Sequence, residues 1–370
     1  MGEKDNEPIR QILQIQQMNM DDKITKLQTL LGERVKKNVP LAPFTTFKIG
    51  GPADLYYEAR TIEEFVEVVT KARELGIPVT ILGGGSNVLI GDKGIRGLVV
   101  KNNTGAITIR GMKGKYQSGG SVGSVYVEVD SGVVFNKFVR FTVEEGLKGL
   151  EMHLGLPGSV GGAIFMNSKW TKAASKDATQ GIVTENNRRR YLGTLPMPAS
   201  YVGDAVYQAT ILTPENVVTA VDRSYFRFAY DTSVIQKTGD IVLRVVFVLT
   251  PGDKQALWEV ANESVSYRRE SQPQGVKSPG CTFRNITKAQ AVATATPNHT
   301  TSAGFLVDHV GLKGKAVGDA QISPVHANFI VNNGHAKAID VVQLIELARG
   351  KVKEQFGVNL EEEIVRLGEL

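Results

Sequence analysis

Apolar residues first recur at helical spacing near the amino end. Ile12, Leu13, Ile15, Ile24, Leu27 and Leu30 stand in a polar, glutamine-rich background, which predicts amphipathic helix within residues 1–31. From Val39 the pattern changes: prolines and glycines punctuate a Thr45-Thr46 pair, and Leu55-Tyr56-Tyr57 read as strand. Thr61 with Glu64 three residues on has capping-box spacing. Phe65, Val68, Val69 and Ala72 then give the buried stripe of a helix that Gly76 and Pro78 end. Val79 opens a β-branched and apolar run that breaks at Gly83-Gly84-Gly85-Ser86-Asn87 and resumes at Val88-Leu89-Ile90. Strand, helix and strand leading into a glycine turn make a βαβ-like unit.

Further on, residues 106–110, 125–129, 206–212 and 241–249 read as strands, and 131–145 as a helix with Val134, Phe138, Phe141 and Thr142 on one side. A second glycine-rich turn, Gly155-Leu156-Pro157-Gly158-Ser159-Val160-Gly161-Gly162-Ala163, runs into Ile164-Phe165-Met166-Asn167. The pattern lapses over 168–200, a long surface insertion or lid. Beyond Pro251 helices predominate, at 253–270, 302–307 and 338–356, with strands at 326–332 and 364–367 and a turn into a short strand at 278–285. Four parts follow: a helical extension over 1–31, a lobe over 32–105, a strand-rich lobe over 106–250, and a third domain over 251–370 whose last strand returns to the site.

Composition narrows the class. With 370 residues, 42% hydrophobic and 22% charged, the chain holds two or three globular cores. The 39 glycines cluster in apolar parts, which suits close backbone approach to a ligand. A net charge of +5 favours anionic small molecules, and without a long basic block interleaved with aromatics nucleic acid is not expected as a partner. Arg188-Arg189-Arg190 reads as a solvated loop. The single cysteine, Cys281, excludes an internal disulfide framework, and no histidine pair has metal-ligand spacing. Glu3, Asp5 and Glu7 precede any apolar run, the wrong order for a signal peptide, and no run has membrane-spanning length. The expectation is a cytoplasmic monomer without metal or membrane insertion.

Three successive glycines let backbone N–H groups converge on one anion, with Ser86 and Asn87 as side-chain donors. The turn is not a P-loop, because no Gly-Lys-Ser/Thr follows, and Val88 stands where a dinucleotide fingerprint needs its third glycine. On this stretch alone a tight hairpin or bulge is an equal reading. The second turn, whose small residues from Ser159 to Ala163 would let a helix start against a ligand, makes the cradle the more specific one. Cys281 could be a small buried hydrophobe, but Pro279-Gly280 before it presents a side chain at a turn.

The strings FTTFKIGGPADLYY, ILGGGSNVLI, GLPGSVGGAIFMN, GCTFRN, SAGFLVDHVGLKGKAVGDAQISPVHANFIVN and FGVNLEEEIVRLGE follow one another in the order of the UDP-N-acetylenolpyruvoylglucosamine reductase family. The chain resembles that family from about Val39 to its end. The resemblance implies an α+β fold: a two-lobed FAD-binding unit of the peptidoglycan-reductase/vanillyl-alcohol-oxidase type, plus a C-terminal α+β substrate-binding domain. It implies FAD held without a covalent bond, NADPH as hydride donor, and a UDP-sugar substrate. Gly83, Gly84, Gly85, Ser86 and Asn87 would hold the diphosphate. Thr45, Thr46, Gly158, Ser159, Gly161, Gly162 and Asn167 would line the flavin. Cys281 would donate the proton with Glu363 assisting, although Leu360-Glu361-Glu362-Glu363 lacks the family's proline, and Asn285 would contact substrate.

One position departs. Where the family has Tyr-Arg-Asp-Ser or Tyr-Arg-Thr-Ser, this chain has Tyr230-Asp231-Thr232-Ser233, so the cation beside the substrate carboxylate becomes an anion. Either Arg227 or Arg268 substitutes, or activity is weak or lost. The competing functions are another FAD-dependent oxidoreductase of the same fold and a nucleotide-sugar-binding homologue without catalysis.

Overall fold

The computed structural model describes residues 18–117, 120–171, 182–185, 188–191 and 199–370. Ile12, Leu13 and Ile15 therefore lie outside the described residues, while Met20–Leu31 is the expected helix. The fold is α+β. Its first sheet has four strands in the order Lys36–Pro40, Pro52–Ala59, Ile95–Asn102 and Val79–Leu82, the first pair antiparallel and the rest parallel. The helix Ile62–Glu74 crosses over this sheet and buries Phe65, Val68, Val69 and Ala72, the stripe read from the sequence. Thr61 Oγ1 accepts the Glu64 N–H at 3.2 Å. The capping box stays half made, because the Glu64 carboxylate turns to the Arg60 N–H and the Arg34 guanidinium.

Val79–Leu82 and Val88–Ile90 do not form a hairpin. The former pairs with Ile95–Asn102, and the latter runs parallel to Val365–Leu367. The first glycine turn thus joins two different sheets at the C-terminal end of a parallel strand, where α/β sheets open a crevice to ligands.

The second sheet is antiparallel, in the order Val218–Asp222, Val206–Leu212, Ile241–Pro251, Gly120–Asp130 and Ile107–Gln117. Val218–Asp222, not among the expected strands, is an edge strand with no residue fully buried. Val125, Val127, Val129, Val245 and Phe247 pack on the helix Phe135–Glu144 through Phe138, Val139 and Val143. The helix Lys254–Ser271 also buries Leu257 and Ala261 in this core, although composition put it in the third part. Within the expected insertion, Ile182–Glu185 pairs with Arg188–Tyr191, so the arginine run lies on a strand, and most of the remainder lies outside the described residues.

In the third part the helix Ala338–Phe356 packs on three short strands, Ala316–Val317, Ala320–Ile322 and Ile330–Asn332. The strand expected at 326–332 is present over Ile330–Asn332, whereas that at 278–285 is irregular. Cys281 and Phe283 make single bridges to Phe329 and Glu362, because the Asn328 side chain takes the Phe283 N–H at 2.9 Å and donates to the Phe283 carbonyl at 2.8 Å in place of a ladder. Phe47, Ile49 and Leu89 from the first part are buried in this third core. No helix among the described residues is long and apolar enough to cross a membrane.

Because Phe47 is fully buried in a core formed mainly by residues far along the chain, Phe47→Ala should cost about 3–5 kcal/mol. Urea unfolding of the purified protein checks this, and a transition midpoint equal to the wild type would contradict the interlocked arrangement.

Candidate active site

The two glycine turns meet backbone to backbone. A Cβ on Gly84 would lie 2.5 Å from Gly158 Cα, and one on Gly83 would lie 2.4 Å from Ser159 Oγ. Gly85 adopts φ 64°, which glycine alone takes without strain, and its carbonyl accepts the Thr46 N–H at 3.0 Å. Ser159 caps the short helix Val160–Met166 by accepting the Gly162 N–H at 3.3 Å. Beneath the first turn Lys101 donates to the Gly83 carbonyl, and burial lowers its pKa.

Both turns line one cavity of about 850 Å³, within the ~300–1,000 Å³ of small-molecule and cofactor sites. Its lining includes Gly83 to Asn87, Gly158, Ser159, Gly161 and Gly162 together with Lys169, Tyr230, Asp231, Arg268, Cys281, Asn285 and Glu363. The glycine surfaces suit FAD: a large flat cofactor with a diphosphate needs bare backbone on both sides, and any side chain at Gly84 would fill the junction.

Cys281 and Glu363 are tied by the backbone. The Glu363 N–H donates to the Thr282 carbonyl at 2.8 Å, and Asn87 Nδ2 donates to the Glu363 carbonyl at 3.0 Å. The first glycine turn, the cysteine turn and the C-terminal strand therefore share one anchoring point. Burial pushes the Cys281 thiol well up, Glu363 adds to this, and Lys169 and Arg268 oppose it without prevailing. The Glu363 carboxyl is pushed up to about 7, by burial first and then by Asp231, against Lys169 and Arg284. The thiol therefore keeps its proton at neutral pH, while the Glu363 carboxyl exchanges its own in that range.

Lys169 Nζ contacts both Asp231 carboxylate oxygens at 2.6 Å and lies 3.7 Å from the centre of the Tyr230 ring. Burial alone would lower its pKa, but Glu363, Asp231 and Tyr230 together raise it. Arg268 is largely buried, with Nε lacking a protein partner, as does the Nε of Arg284 behind the wall. Asn285 Oδ1 accepts the Ala303 N–H at 3.1 Å, and its own N–H donates to the Tyr230 hydroxyl at 3.3 Å.

Four of the expected site residues lie off the cavity lining. Arg227 is exposed at the left-handed end of a short turn and does not line the cavity, so it does not stand in for the family arginine. Thr45, Thr46 and Asn167 do not line it either. Thr45 Oγ1 donates within its own turn, to the Ala42 or Ile49 carbonyl, each at 3.2 Å. Thr46 Oγ1 donates to the Ser278 carbonyl at 2.8 Å. Asn167 donates to the Ala229 carbonyl at 2.9 Å and accepts the Gly203 N–H at 3.1 Å. These three shape the site by bracing its loops. Lys169, Lys101 and Arg284 escaped the sequence reading; only the charge reversal at Asp231, which needs a buried counter-ion, pointed toward the first of them.

Comparison with known proteins agrees with this geometry. A family described as "FAD binding domain" matches residues 53–185, which include both glycine turns. The class is that of FAD-dependent oxidoreductases. A family described as "UDP-N-acetylenolpyruvoylglucosamine reductase, C-terminal domain" matches 272–367, from just past the helix Lys254–Ser271 through Cys281 and Glu363. The UDP-N-acetylenolpyruvoylglucosamine reductase of Halalkalibacterium halodurans is 33% identical over 350 residues, 95% of this chain and all of that one. That of Geobacillus kaustophilus is 34% identical over 346 residues, 93% and 97% of the two chains. The crystal structure of the corresponding enzyme from Thermus caldophilus superimposes with a TM-score of 0.64 at 29% identity, covering 90% of this chain and 99% of that one. The chain belongs to the UDP-N-acetylenolpyruvoylglucosamine reductase family.

Two outcomes follow from the geometry. Gly84→Val should abolish flavin uptake, read as loss of flavin absorbance in the purified protein; a yellow variant would contradict the bare-backbone junction. Because the Glu363 pKa is raised, its proton is present below about pH 7 and leaves as pH rises through that value. An infrared titration of the protonated carboxyl band should show this group in the wild type and lose it in Glu363→Gln.

Proposed function

We propose that the protein catalyses the NADPH-dependent reduction of the enolpyruvyl group of UDP-N-acetylglucosamine enolpyruvate to UDP-N-acetylmuramate, the second committed step of peptidoglycan precursor synthesis. It would act in the cytoplasm, with FAD bound non-covalently, and so serve cell-wall biogenesis, cell shape and division. The observation that carries this reading is the backbone bond from Glu363 to Thr282, which sets a carboxyl and a thiol on the wall of the glycine-lined cavity.

Bound FAD supplies hydride transfer, from NADPH to the enolpyruvyl carbon. The chain's residues do the rest. Addition at one alkene carbon leaves enolate character on the other, beside the substrate carboxylate, and that centre needs a proton. Cys281 has it: an unperturbed thiol has a pKa of about 8.5, and burial raises this one further, so it stays protonated at neutral pH. The S–H bond breaks as the C–H bond forms, and the resulting thiolate recovers a proton from solvent or from Glu363. Asn285 and Arg268 line the same wall and would orient the sugar nucleotide.

Anaerobic stopped-flow separates the half-reactions. Cys281→Ala should take up FAD, and flavin reoxidation by the enolpyruvyl sugar should slow by roughly 10²- to 10⁴-fold, the scale of a general acid. Cys281→Ser should retain part of the rate, since a hydroxyl can donate from the same position. Normal reoxidation in Cys281→Ala would leave the thiol as packing only.

A further inference from the structure

We propose that Lys169, held by Asp231, is the cation that receives the carboxylate of the anionic substrate beside Cys281 and Glu363. This rests on the reaction proposed above and assigns a residue that the family motif does not contain.

The argument is one of position. The family places an arginine where this chain has Asp231, and that carboxylate is buried, with 4% of its side chain exposed. A buried carboxylate without a partner costs several kcal/mol, so a cation must accompany it. Lys169 does, with both Asp231 oxygens at 2.6 Å. An ammonium has three N–H donors. Two are taken by Asp231, and the third faces Tyr230, whose side chain hydrogen-bonds the ammonium; an arriving carboxylate takes the place of that neutral partner at a side chain that lines the cavity.

Among the described residues, three cationic side chains line that cavity: Arg73, Lys169 and Arg268. Arg73 is spent on the Thr213 carbonyl at 2.7 Å, away from the reacting groups. Arg268 interacts with Cys281 but is not among the charges acting on Glu363. Lys169 alone of the three acts on both. Tyr230 closes its other side, with the ammonium 3.7 Å from the ring centre, so the charge is fixed on one aromatic face and one carboxylate. The cation has moved from residue 231 to its neighbour in space, and Asp231 has become the positioning group.

The test uses the oxidised FAD-loaded protein and two titrants, UDP-N-acetylglucosamine enolpyruvate and UDP-N-acetylglucosamine, which lacks the carboxylate. Calorimetry gives the preference of each variant for the first over the second. Lys169→Met should reduce that preference roughly ten- to hundred-fold, the loss of one charge-assisted hydrogen bond, while Lys169→Arg should keep most of it. Since Lys169→Met leaves Asp231 buried and alone, Lys169→Met/Asp231→Asn removes both charges and should fold with normal flavin content while showing the same reduced preference. An unchanged preference in that double variant overturns the assignment. A wild-type protein without any preference for the enolpyruvyl sugar would instead count against the reaction itself.

Discussion

The parallel pairing of Val88–Ile90 with Val365–Leu367 is the contact on which the site depends. It brings the C-terminal segment back to the first glycine turn. The Val365 N–H donates to the Asn87 carbonyl at 2.9 Å and Asn87 Nδ2 to the Glu363 carbonyl at 3.0 Å, and Glu363 in turn reaches the Thr282 carbonyl. Each such bond is worth only about 1 kcal/mol net, and closing a loop of this length has a large entropic cost. The apolar residues flanking the bonds offset that cost: Leu89 and Ile364 are buried in the third core with Phe47 and Ile49. The first glycine turn and the proposed proton donor are thus positioned by one seam, and damage to the seam would reach both.

Electrostatics in the cavity run in one direction. Burial acts against charge, so Cys281 remains a thiol and Glu363 is shifted toward neutrality, which suits the proposed proton-donating roles better than those of nucleophile and base. Lys169 escapes this rule because carboxylates surround it. Asp231 therefore acts twice: it keeps the ammonium charged, and as a like charge it favours the protonated form of Glu363.

Much of this was legible in the sequence. The helical stripe of Phe65, Val68, Val69 and Ala72 and the amphipathic run at 338–356 follow from spacing, because those helices bury a single face. Both glycine turns were visible because bare backbone has a compositional signature. What the sequence could not show was pairing. Whether Val88–Ile90 returns on its neighbour or joins a strand near the C-terminus is decided by long-range packing, which leaves no local trace. Asn328 replaced an expected ladder with side-chain bonds for the same reason. Thr45, Thr46 and Asn167 have residue types that serve a ligand or a loop equally well, and only their partners tell which.

The charge reversal at residue 231 shows why a motif read one position at a time misleads. Asp231 sits at φ 52°, a left-handed conformation that aspartate tolerates better than most residues. A short acidic side chain at that turn lines the cavity but projects less far than an arginine would. Lys169, on a short strand paired with Ala199–Tyr201, meets that carboxylate directly. The substitution does not conserve charge: an arginine adds one positive unit, whereas the Lys169–Asp231 pair sums to zero. An anion arriving at this pair gains little from net attraction and depends on a directed N–H from an ammonium already immobilised. Recognition of a carboxylate here would therefore rest on geometry more than on field, and the near-neutral Glu363 beside it matters all the more, since a second charged carboxylate would tip the wall negative against the group it has to bind.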